Sequence, residues 1–131
     1  MNRIETIAPE IVDLIDRASL LLRHKILVGV CATAIEGSGI EHDIVSSMFN
    51  EFQRNGVILA RMRKILQELA NEFDEKYFDF QDSGEGELAL QRFRQARAIA
   101  ALAFAGDNSN KTSALDAIYE AAMAVSDSQI V

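Results

Sequence analysis

Residues 26–35 read ILVGVCATAI, ten consecutive positions without a charge in the first third of a 131-residue chain. A run of this kind crosses a membrane, forms the apolar part of an export signal, or lies inside a folded domain. It is far shorter than the ~20 residues that a membrane-spanning helix needs. An export signal starts near the N-terminus behind a basic leader. Here Glu5, Glu10, Asp13 and Asp16 come first. A lipid-modified Cys31 would want a small residue before it, and Val30 stands there. The run is therefore read as core.

Leu14, Leu21, Val28 and Ile35 recur every seven residues, so the helical period of the preceding segment continues through the run. Pro9 and Glu10 suit a first helical turn. The pattern predicts one long helix over 9–36, or two with a break near Arg23-His24-Lys25. Its apolar half, 26–36, is expected to be the central helix of the domain.

The rest of the chain follows the same period. Ser38-Gly39-Ile40-Glu41 has the spacing of a capping box. After it Val45, Phe49, Phe52, Leu59, Met62, Leu66, Leu69, Phe73 and Tyr77 keep helical phase. The phase favours a single kinked helix over about 41–78, while Asn55-Gly56 is the place where it would divide. One feature supports continuity. Arg61, Arg63 and Lys64 precede Glu68, Glu72, Asp74 and Glu75. A helix starting near residue 60 would hold these charges against its own dipole.

Residues 79–87, DFQDSGEGE, read as a loop. Leu88–Ala105 and Ser113–Val125 read as alanine-rich helices joined by a short turn, hence antiparallel neighbours that pack closely. One proline, clustered glycines and 49% hydrophobic residues agree with this. The chain is expected to be all-α, a single-domain helical bundle of four to six helices over 1–131, with 1–7 and 126–131 frayed.

The net charge of −7 is spread along the chain. Arg54, Arg61 and Lys64, or Arg94 and Arg97, form no long basic stripe, which argues against direct nucleic-acid binding. The single cysteine, Cys31, excludes an intrachain disulfide, lies among apolar neighbours, and fits a reducing, cytoplasmic setting. Glu41-His42-Asp43 offers three metal-ligand types, but adjacent helical residues point apart. The 79–90 stretch lacks the glutamate that an EF-hand requires at its twelfth position. Ser46, Ser47, Thr33 and Cys31 stand in no nucleophile motif, and Glu36 and Asp116 are carboxylates that could sit in an apolar setting suited to acid–base work. No catalytic residue, cofactor or metal is expected.

The segment DEKYFDF, residues 74–80, sets aromatic residues among acids, a composition suited to contact with a basic partner. The expected partner-binding residues are Glu68, Glu72, Glu75, Tyr77, Phe78, Asp79, Phe80, Asp82 and Glu85. The sequence thus points to a small acidic cytosolic protein-binding module, with inhibitors and immunity-type proteins that act on basic macromolecules as natural subtypes. The alternative is a helical bundle with a small-molecule pocket, a ligand sensor or modest enzyme, between the first helix and a Phe49/Phe52/Phe93 layer. The alanine-rich faces could also close a homodimer.

Overall fold

The computed structural model describes residues 8–107 and 111–125; the expected frayed ends lie outside the described residues. The described residues form six helices: α1 Pro9–Arg17, α2 Leu20–Ser38, α3 Asp43–Asn55, α4 Ala60–Asp82, α5 Gly86–Ala105 and α6 Lys111–Val125. The chain is an all-α bundle, and there is no strand among the described residues.

The breaks fall where local chemistry satisfies backbone groups. The first is at Ala18-Ser19, one turn earlier than Arg23-His24-Lys25. Ala18 is extended, and the Ser19 hydroxyl accepts the Leu22 amide at 3.1 Å, which starts a new helix. Ser38 does not open a capping box: it is the last residue of α2, and its hydroxyl donates to the Ile35 carbonyl at 3.1 Å. The His42 Nδ1 caps the next helix instead, accepting the Ile44 amide at 3.2 Å. The single helix over 41–78 is also corrected. Gly56 takes φ 75°, the left-handed geometry that ends α3, and α4 does not start until Ala60.

Between them, Ile58 is buried and its amide donates to the Gly106 carbonyl at 3.0 Å. A Cβ on Gly106 would sit 2.7 Å from Ile58 side-chain carbons. The α3–α4 connection and the end of α5 therefore touch backbone to side chain. Gly106 matters here for closeness rather than for a left-handed cap, since its φ is −68°.

The 79–87 loop contracts to a turn. α4 runs through Asp82, leaving Ser83-Gly84-Glu85 before α5 begins at Gly86. Across this turn Arg97 meets Asp74 and Tyr77 meets Phe93, so α4 and α5 run antiparallel. Arg97 also reaches Glu120, which binds α5 to α6.

The 26–36 run is helical, and Leu27, Cys31 and Ala34 place one stripe of it in the core. It is not the central element. α5 packs on α2, α3, α4 and α6 and buries Ala89, Gln95, Ala96, Ala98, Ile99, Ala101, Leu102, Ala103 and Ala105. Alanine lets four neighbours approach one helix, whereas the bulkier α2 packs on α3, α5 and α6 and keeps one side, with Lys25, Gly29, Thr33 and Glu36, exposed. Cys31 is fully buried, and desolvation pushes its thiol up to about 12. Such a group is an inert apolar filler.

Candidate functional site

The outward face of α4 gathers most of the expected contact residues. Glu68, Glu72, Glu75, Asp79 and Asp82 are spaced by four, three, four and three residues. At 3.6 residues per turn they share an arc of roughly 80° and extend about 21 Å along the helix. All five are exposed. None forms an ion pair among the described residues. The inward face of the same helix carries Leu66, Leu69 and Ala70 into the core. That fixes the rotation of α4 and leaves the acids facing solvent.

The aromatic residues divide. Phe78 flanks the acidic stripe and is 58% exposed. Tyr77 turns the other way and is half-buried, its ring 5.5 Å from that of Phe93 and 5.0 Å from that of Phe78. Phe80 is half-buried on a further side of α4. Glu85 lies outside the stripe, in the turn, where its carboxylate accepts the Ser83 hydroxyl at 3.0 Å. Asp79, Phe80 and Asp82, expected in a loop, stand on a helix. Their spacing is therefore fixed, a property that a loop reading could not supply.

The charge order along α4 is the one that a helix dipole disfavours. Arg61, Arg63 and Lys64 occupy the first turns, Glu68 and Glu72 the middle, and Asp79 and Asp82 the last turn. Arg63 finds local use by donating to the Ile58 carbonyl at 2.6 Å. No basic residue stands in the last turn of α4.

Behind this face lies a charged joint that the sequence did not reveal. Arg97 pairs with Asp74 at 2.6 Å and with Glu120 at 2.9 Å, and its guanidinium carbon is 5.6 Å from the Phe93 ring centre. Glu120 is buried. Burial, partly offset by Arg97 and reinforced by the Glu120 charge, raises the Asp74 carboxyl above its ordinary value. The signal in the sequence was weak, because Arg97 and Glu120 are 23 residues apart and no motif spans them.

The expected pocket near a Phe49/Phe52/Phe93 layer is not one site. Phe52 lines a cavity of about 260 Å³ with His24, Leu27 and Ala114. There His24 packs edge-on against Phe52, with ring centres 5.0 Å apart, and shares a 3.2 Å hydrogen bond with the Gln53 carbonyl. Phe93 instead lines a separate cleft of about 730 Å³ with Tyr77 and Met123.

Among the described residues no group of three or more metal-ligating side chains is close enough to hold an ion, and no helix is long and apolar enough to cross a membrane. No protein-family model, characterised protein or solved structure matches the chain.

Proposed function

We propose that this is a small binding protein that acts by contact, through the outward face of α4, on a basic protein partner. The observation that carries this reading is the set of five aligned, exposed carboxylates without ion-pair partners among the described residues, bordered by an exposed phenylalanine, with Asp79 and Asp82 in the last turn of α4 where the helix dipole opposes them. A surface shaped for stability alone would place basic residues there. Aligned acids steer a basic partner toward the face, and Phe78 offers the apolar contact that gives an interface its lifetime. Inhibitors and immunity-type proteins directed at basic macromolecules fit this description, and the reading includes a cytoplasmic location, where a lone thiol remains reduced.

The test is recovery of the tagged protein from its own cells at low salt, with its companions identified by mass spectrometry. A stoichiometric, basic partner released by salt is expected. The double substitution Asp79→Lys/Asp82→Lys should abolish that capture while raising stability by about a few tenths of a kcal/mol per site at low ionic strength. Partner binding that survives the double substitution would overturn the surface assignment. Recovery of a homodimer alone would overturn the basic-partner reading.

A further inference from the structure

We propose that the cleft between the C-terminal half of α4, the start of α5 and the end of α6 binds a small lipophilic organic cation. Its volume of about 730 Å³ falls within the usual range for small-molecule sites. Tyr77, Phe93, Leu90 and Met123 form its walls, a mixture of aromatic and aliphatic surface. Its charged lining residue is Glu87, an exposed carboxylate with no ion pair among the described residues. Gln81 adds a neutral carbonyl acceptor, and no lysine or arginine lines the cleft.

Two other cavities differ on this point: Arg23 lines the one beside Phe52, and Lys25 lines the groove between α2 and α6. Arg97 does stack on Phe93, but Asp74 and Glu120 already pair with it, so it presents no uncompensated positive charge to the cleft. Aromatic faces and a carboxylate together favour a cation with an apolar body over a neutral or anionic one of the same shape. Gly86 stands at the mouth, where a Cβ would meet no atom within 4 Å.

The experiment titrates the full chain with tetraphenylphosphonium, and separately with the isosteric anion tetraphenylborate, by calorimetry. One equivalent of the cation should bind, and the anion should bind at least about tenfold more weakly. Glu87→Gln should weaken the cation by about two- to fivefold, as expected for a partly exposed charge contact. Gly86→Trp should block the cleft, with native helicity checked by circular dichroism. Glu87→Lys, at an exposed position, gives a second loss-of-binding variant that leaves the core intact. Equal affinity for the two ions, absence of cation binding at millimolar concentration, or undiminished binding in folded Gly86→Trp or Glu87→Lys protein would each overturn the proposal. None of these outcomes depends on whether α4 has a protein partner.

Discussion

Helices α2 and α5 invert the usual link between apolarity and depth. α2 contains the longest uncharged run in the chain, yet Leu20 and Leu21, in its first turn, are 71% and 65% exposed. α5 carries Arg92, Arg94 and Arg97 and is the most enclosed helix. Depth follows from how many neighbours can approach. Ala98, Ala101 and Ala105 occupy so little space that helices close on several sides of α5, while its arginines reach out between them. Arg97 in particular turns a charge into a fastener across α4, α5 and α6.

The largest effect that would sharpen this contrast comes from the fastener. Arg97→Met keeps the length of the side chain and removes its charge, leaving Glu120 buried and Asp74 unmatched. A loss of about 3–5 kcal/mol is expected by urea denaturation. A near-neutral result would show that α5 is held by alanine packing alone. Asp74→Asn should behave differently. Its folded-state carboxyl titrates above the ordinary value. The stability linked to this group is therefore full below the unfolded value and declines as pH rises through the raised folded value. The asparagine variant should flatten that acidic part of the stability profile.

Ala101→Leu comes next. The site is fully buried, and a larger side chain must push neighbouring helices apart, at about 1–3 kcal/mol. Thermal denaturation would check this, and tolerance of the leucine would mean that the packing around α5 is looser than its burial implies.

The smallest effect belongs to α2. Leu20→Gln should change stability by no more than about 0.5 kcal/mol, because the leucine is mostly in water in the folded chain. A loss near that of Ala101→Leu would show that the exposed turn is covered in solution and would remove the contrast.

The same pair of helices shows what could be read in advance. Periodicity revealed helicity nearly throughout, but the seven-residue set it picks out misses the core: Leu14 and Leu21 are exposed and Val28 and Ile35 half-buried, while Leu27, Cys31 and Ala34 form the buried stripe. It did not rank the helices by depth, because hydropathy records the composition of a helix and not the number of its neighbours. Breaks were harder. At Ser19 a single hydroxyl decides the matter, and at Gly56 one left-handed residue outweighs an unbroken apolar phase. The acids of the outward face of α4 were legible as a composition. Their alignment was not, since the glycines of DFQDSGEGE obscured the continuation of α4 to Asp82. The Arg97 joint and the Tyr77–Phe93 cleft depend on antiparallel register across the turn, which no local pattern encodes.

The seclusion of Cys31 gives the chain a built-in clock. Its thiol is shut away inside the bundle and held protonated, so an alkylating reagent can react only during the moments when the surrounding helices part. With no second thiol to compete, the labelling rate would follow the population of those openings, and their frequency once the reagent outpaces reclosing, so every substitution above could be read through the same atom.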